Sequence, residues 1–431
     1  MPPEAKKTFR HVSRIEVHLW GNPVGRLAMD PGTGFYAFRY DPSFPGRGIE
    51  PAPLQMPVDE QRTLVFPDLS PRTFQRLPAM VGDSLPDRFG NRLIEESLRS
   101  YGVDPDAITT LDRLAYLSHR TMGALQFKPP RGEVEKASAI ELETLVSEAR
   151  RAVHERLDEG NSSEALKHII SVGISAGGAR PKAVICWNPE TGELRSGQFD
   201  APEGFQHWLL KFDGIEEGQL GAPRVEGRVE YAYSLMAKAA GIAMTECRLH
   251  EEGGRAHFMT RRFDREGSAT RHHIQTLCAM AHMDFGMAGA YSYGQLFETI
   301  LKLGLPDHDL EQAFRRMAFN VLARNLDDHT KNVSFRLRQG GRWELAPAYD
   351  LTFAHNPEGR WNNQHFLSVN GRHDGIGRED LLLEGERYSI GRARAILDEV
   401  REAVGRWNEF RDEAGIPRET AARMETRFVR V

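Results

Sequence analysis

The sequence predicts an α+β protein of more than one domain, strand-rich at its start and mostly helical towards its end. At 431 residues the chain exceeds what one hydrophobic core ordinarily organises, and usual domain sizes favour two or three packed units. From Ile15 onwards short apolar runs, V-H-L-W and F-Y-A-F-R-Y, alternate with Gly- and Pro-containing turns, the pattern of a small antiparallel sheet. After Ser268 the chain reads as mostly helical.

Composition narrows the class. With 40% hydrophobic and 27% charged residues, and Gly and Pro spread along the chain, neither disorder nor a fibrous repeat is indicated. The 56 basic and 61 acidic residues leave a formal charge of −5, so no broad cationic surface for direct DNA binding is expected. Cys186, Cys247 and Cys278 are far apart and form no C-x-x-C pair, which excludes a legible zinc site or disulfide framework and fits a reducing setting. The first residues lack the apolar core of a signal peptide, and no later run approaches the roughly 20 apolar residues of a membrane span. A cytoplasmic protein without membrane contact is expected.

An N-terminal domain is placed at residues 1–132. It holds the early sheet, a helix after Pro86, a short helix in T-T-L-D-R-L-A-Y-L from Thr109 to Leu117, and a closing strand in M-G-A-L-Q-F. A Lys/Glu-rich linker follows, and a second unit is placed at 133–265. Its centre, I-I-S-V-G-I-S-A-G-G-A-R-P-K-A-V-I-C-W, reads as two strands joined by a glycine loop. Such a loop has two readings: a mobile turn, or a cradle whose backbone N–H groups face an anion, with Lys182 just beyond it.

Further on, H-W-L-L-K-F-D-G reads as a strand presenting Lys211, either to solvent or to nucleotide phosphates. A helix from Val229 to Ala240 follows, ended by Gly241, with Glu230 near its start as either an exposed acid or a partner for Lys211. Two strands around E-E-G-G-R form a hairpin, and the second runs on to Arg261, Arg262 and Phe263, where a two-lobed kinase has its adenine-binding hinge. Asp264 and Arg265 beside it read as a surface ion pair.

The third unit, 266–431, contains a helix from about Asp309 to Asn325 with Leu310, Ala313, Phe314, Met317, Val321 and Leu322 on one stripe. Directly after it comes N-L-D-D-H-T-K-N, then V-S-F-R-L, a turn, and W-E-L-A-P-A-Y-D. Asp327 and Asn332 stand five positions apart, and a hairpin would return Asp350 towards them. This is the order of a protein-kinase-type catalytic loop: Asp327 would orient an attacking hydroxyl, while Asn332 and Asp350 would offer oxygens to Mg²⁺, which bridges and neutralises the phosphates of ATP. Asp328 lacks the offset to Asn332 and reads as a turn residue.

With V-H-L-W-G-N-P-V-G-R-L, S-L-P-D-R-F, S-A-G-G-A-R-P-K, R-F-D-R, L-D-D-H-T-K-N and A-Y-D-L, nearly the whole chain resembles the HipA-like serine/threonine kinases, toxins of type II toxin–antitoxin systems. The resemblance implies a two-lobed protein-kinase-like core behind a small mainly β N-terminal domain. It implies ATP contacts from Gly177, Gly178, Ala179, Arg180, Pro181, Lys182, Lys211, Arg261, Arg262, Phe263, His329, Lys331, Asn332, Tyr349 and Asp350. It makes Asp327 the catalytic residue, Asn332 and Asp350 the Mg²⁺ ligands, and Ser175 an autophosphorylated serine whose added charge of about −1.5 to −2 would switch the enzyme off. The implied partners are a protein substrate such as an aminoacyl-tRNA synthetase and a helix-turn-helix antitoxin of HipB type, with DNA reached only through the antitoxin. The chain departs from the family at Arg180 and Pro181, where other members carry Gln and Glu, and at Arg261, where an acidic residue is common.

Two rivals keep the same residues in view. Small-molecule phosphotransferases use the same D-x-x-x-x-N logic, and a catalytically silent antitoxin-binding co-repressor would leave growth effects indifferent to Asp327→Asn.

Overall fold

The computed structural model describes residues 10–431 apart from 60, 87, 101, 132–181, 199, 214, 217–218, 221–224, 253 and 360–361. Two compact units emerge: residues 1–51, 56–223 and 264–273 form one, and 52–55, 224–263 and 274–431 the other. The mixed α+β class and the small N-terminal antiparallel sheet expected from the sequence are both present.

In the first unit, β1 (Arg14–Leu19), β2 (Asn22–Met29), β3 (Tyr36–Tyr40), β4 (Thr63–Leu64) and β5 (Leu125–Lys128) make a sheet in the order β4-β3-β2-β1-β5. All four pairings are antiparallel. Ile15, Val17, Leu19, Val24, Leu27 and Phe38 are fully buried, so period-2 alternation supplies the core. Trp20 and Gly21 join β1 to β2 with φ of 51° and 77°, the twist-matched geometry of a two-residue hairpin turn. Trp20 is held in that uncommon conformation by donating its indole N–H to Arg271 O at 2.6 Å.

The Thr110–Leu117 helix starts where T-T-L-D predicts it. Thr109 Oγ1 accepts from Asp112 N at 3.1 Å, and the Asp112 carboxylate accepts from Thr109 N at 3.0 Å, a reciprocal capping box. The same buried carboxylate accepts from Val12 N at 2.8 Å and so ties the start of β1's approach to the helix. Burial alone would raise its pKa, but bonds from His11, Thr109 and Val12 outweigh that and hold it below the usual carboxylate value.

Asp264 and Arg265 are not a surface pair. Their side chains are 1% and 5% exposed, 2.6 Å apart, because both serve the backbone near M-G-A-L-Q-F: Gly123 N donates to Asp264 Oδ2, and Arg265 donates to Gly123 O and Thr121 O. His273, also in this unit, donates Nε2–H to Pro51 O at 2.9 Å. Burial drives its pKa down from 6.5 to about 4. A neutral folded His273 stabilises the protein fully above pH 6.5, and that contribution is lost as pH falls towards 4, because the unfolded chain takes up the proton first. We expect unfolding free energy, read by urea denaturation, to fall by about 3 kcal/mol from this residue across that window. His273→Gln, whose amide still donates to Pro51, should flatten this part of the profile.

Further along this unit lie β6 (Lys182–Trp187), β7 (Leu194–Ser196) and β8 (Gln206–Lys211), with β6 between the other two, antiparallel to both and buried throughout. The predicted glycine loop before Lys182, with Ser175, lies outside the described residues.

The first helix of the second unit is Glu226–Ala239, which starts three residues earlier than its apolar spacing indicated. Glu230 is buried, not an exposed first-turn acid. The Cys247–Glu252 and Arg255–Arg261 strands form the predicted hairpin. Beyond Ser268 helices dominate but short strands interrupt them. Helices Tyr293–Lys302, Asp307–Leu322, Arg378–Arg387, Ala393–Gly405 and Trp407–Glu413 bury one apolar cluster around Phe297, Phe314, Phe319, Leu397 and Trp407. Among the described residues, no helix is long and apolar enough to cross a membrane.

The Asp307–Leu322 helix is the scaffold of the site. Its predicted apolar stripe is buried, and so are Asp309, Gln312, Arg315 and Arg316, each of which holds a loop backbone in place. Asp309 accepts from Leu345 N, Gln312 bridges Ala243 N and Gly241 O, Arg315 donates to Ala240 O, and Arg316 to Ala346 O. The helix stops three residues before Asn325: Arg324 turns left-handed (φ 55°), with Asn325 N bonded to Asn320 O and Arg324 N to Val321 O. This is a Schellman ending built without glycine.

Candidate active site

That ending delivers the chain into residues 325–333. Leu326 N bonds Ala354 O on one side, while on the other Leu277 N and Cys278 N bond Val333 O and Thr330 O. Thr330, wholly buried, donates its hydroxyl to Met283 O at 2.7 Å. The loop is therefore fixed along both edges, and its free side carries Asp327, His329, Lys331 and Asn332.

Asp327 lies on that free side with its side chain 52% exposed and His329 Nε2 at 3.7 Å. Asn332 Nδ2 donates to the backbone carbonyl of Asp327 at 2.7 Å, closing the five-residue offset read from the sequence, and its backbone N–H bonds His329 O. Lys331 lays its ammonium 4.6 Å from the Phe285 ring centre, an orienting cation–π contact.

The following hairpin, Ser334–Leu337 against Trp343–Leu345, is in register through Phe335↔Leu345 and Leu337↔Trp343. It does return the chain as expected. Tyr349 OH donates to Lys331 O at 2.6 Å and accepts from Ser334 Oγ at 2.6 Å, since a carbonyl can only accept. Ala348 is tied to Ala243, and Asp350 follows in a left-handed conformation (φ 56°), which Asp tolerates better than most residues. Phe263 packs on the Tyr349 ring, centroids 5.6 Å apart, and its carbonyl accepts from Arg336. Arg262 is buried, and Arg261 is paired with Glu246 at 3.8 Å.

Within this unit the structure thus gathers Phe263, Asp327, His329, Lys331, Asn332, Tyr349 and, next in chain, Asp350. Lys211 and Lys182 belong to the first unit, where they stand directly opposite each other on β8 and β6, both buried. Gly177 to Pro181 and Ser175 fall outside the described residues.

Sequence reasoning missed Asp328. It is not a turn residue at the surface: its side chain is 2% exposed and accepts from Tyr293 OH (2.8 Å), His365 Nδ1 (2.9 Å) and Phe366 N (2.7 Å). The doublet D-D was its only sequence signal. His365, Tyr293 and Phe285 carried none.

Comparison with protein-family models matches residues 15–128 to the HipA N-terminal domain and residues 174–429, more than half the chain, to the HipA-like C-terminal domain. The chain belongs to the HipA family. A search of curated proteins returns no match. Among solved structures, the HipA chain of the Shewanella oneidensis MR-1 toxin–antitoxin complex with HipB and operator DNA is 18% identical, with a TM-score of 0.69 over 96% of this chain and 95% of that one. That likeness extends the HipA fold over nearly the whole chain. The Helicobacter pylori proinflammatory kinase CtkA matches 52% of this chain and 90% of its own at 12% identity, with a TM-score of 0.32. In this HipA-family chain the C-terminal family match spans both Lys211 and the 325–350 region.

Proposed function

We propose that the chain is an ATP- and Mg²⁺-dependent protein serine/threonine kinase, the toxin of a type II toxin–antitoxin pair with a HipB-type antitoxin. The observation that carries this is the pairing of an exposed Asp327 with Asn332 on a loop fixed along both edges, with Tyr349 tying the Asp350 segment to the same loop. Family membership supports it.

In this reading Asp327 orients and deprotonates the substrate hydroxyl as it attacks the γ-phosphate. The metal fits the donor set: with its Nδ2 committed to Asp327 O, Asn332 has its Oδ1 available, and Asp350 adds a carboxylate. Hard oxygens from one or two side chains, completed by phosphates and water, suit Mg²⁺, and no group of three His, Cys, Asp or Glu side chains able to hold a metal occurs among the described residues. Bound there, Mg²⁺ would neutralise charge on the transferring phosphate. Lys182 and Lys211, directly opposite each other on neighbouring strands, are the basic residues that meet the polyphosphate. Phe263, with Arg261 and Arg262, meets the adenine.

The finer assignments complete the proposal: a translation component such as an aminoacyl-tRNA synthetase as target, Ser175 as the self-inactivating phosphosite, Gly177 to Pro181 as the phosphate loop, and domains at 1–132, 133–265 and 266–431. Operator DNA is reached through the antitoxin. Phosphopeptide mass spectrometry after expression of wild type and Asp327→Asn tests the reading. Wild type should gain phosphate on Ser175 and on one cellular protein, and the variant neither; a wild type that alters no phosphosite overturns it.

A further inference from the structure

We propose that Asp328 and His365 form a positioning pair that fixes the orientation of Asp327, so that a residue far along the chain governs turnover at the loop. The inference rests on the kinase reading of Asp327, but half of its test does not.

Adjacent residues 327 and 328 have opposite fates: one carboxylate faces outwards, the other is sealed in. A buried carboxylate is a costly way to fill space, and an apolar side chain often serves stability as well. Three directional hydrogen bonds achieve something that packing does not, a defined rotation of residue 328 about the backbone and hence of the Cα–Cβ direction at residue 327. The donors come from separate segments, Tyr293 at the start of its helix and His365 with Phe366 beyond the hairpin.

The arrangement also closes on itself. Asn325, at the head of the loop, donates to Asn320 Oδ1 (3.0 Å); Asn320 donates to Tyr293 OH (2.9 Å); Tyr293 donates to Asp328, three residues past Asn325. Burial, with the Asp328 carboxylate beside it, holds the Tyr293 phenol far above its ordinary pKa, so it remains a donor. His365 adds the outside brace. Its Nδ1 carries the proton, because a carboxylate only accepts, and its own backbone is clamped, His365 N to His373 O (2.8 Å) and His373 Nδ1 to His365 O (3.0 Å).

The test compares His365→Leu, which fills the space without a donor, with His365→Asn, whose amide N–H stands in for Nδ1–H. Tyr293→Phe, which removes both the donation to Asp328 and the acceptance from Asn320, is the second variant. Each is read by steady-state kinetics and by amide hydrogen exchange over residues 326–333. His365→Leu should lower kcat by roughly 10- to 100-fold with KM for ATP within about twofold, the signature of lost alignment. Exchange over the loop should accelerate at least about tenfold. His365→Asn should restore most of both, and Tyr293→Phe should move both in the same direction as His365→Leu. The proposal is overturned if Leu leaves kcat and exchange at wild-type values, if Asn rescues neither, or if Tyr293→Phe alters neither. Should the wild type lack kinase activity, the kinase reading fails while the exchange measurements still decide whether the pair fixes the loop.

Discussion

Asp327→Asn should reduce phosphoryl transfer by about 10³-fold, within the range by which a positioned base accelerates reaction. The amide matches the carboxylate in shape but cannot take the substrate proton. The loop should survive, because Asn332 bonds the backbone carbonyl of residue 327 and not its side chain. Stability should therefore stay within about 0.5 kcal/mol, as for other exposed positions. Assays with radiolabelled ATP, alongside thermal unfolding, separate the two quantities. Retained transfer would remove Asp327 from the chemistry.

Lys211→Met should weaken ATP binding by about 100-fold, near 3 kcal/mol, the scale for losing one partner of a buried charged contact. Met keeps most of the lysine's volume, so β8 and its pairing with β6 should persist. Calorimetric titration with ATP and Mg²⁺ measures the loss. The stabilisation of wild type by excess ATP, which follows from binding to the folded state alone, should shrink in parallel. Unchanged affinity would exclude Lys211 from the nucleotide site.

Much of the fold was legible because its signals are local. T-T-L-D contains both halves of its capping box, R-Q-G-G-R marks a hairpin turn, and the stripe from Leu310 to Leu322 gives its helix a buried face. The candidate site was legible for the same reason: Asp327 and Asn332 lie five positions apart within one loop. What was not legible depends on partners distant in sequence. Asp328 and Asp327 are equivalent on paper, and only Tyr293 and His365 distinguish them. Asp264 and Arg265 read as solvated until the backbone at Thr121 and Gly123 is brought alongside. Asp309, Gln312, Arg315 and Arg316 of the Asp307–Leu322 helix likewise reveal their burial only through the loop carbonyls and amides they hold. The end of that helix was misplaced because a left-handed arginine, Arg324, does the work usually given to glycine.

The hairpin after the loop has one practical consequence. Its two limbs are pinned at the base by Phe335↔Leu345 and by the Tyr349 hydroxyl, whereas residues 338–342 at its tip are all exposed and include Gly340 in a left-handed turn. Chain inserted there lengthens a closed loop without pulling on either limb, and each doubling of a flexible loop costs only about 0.6 kcal/mol. The tip is thus a port for a fluorophore, an affinity tag or a tether to a surface. From it the second unit can be labelled or immobilised with Asp327, Asn332 and Asp350 left in place.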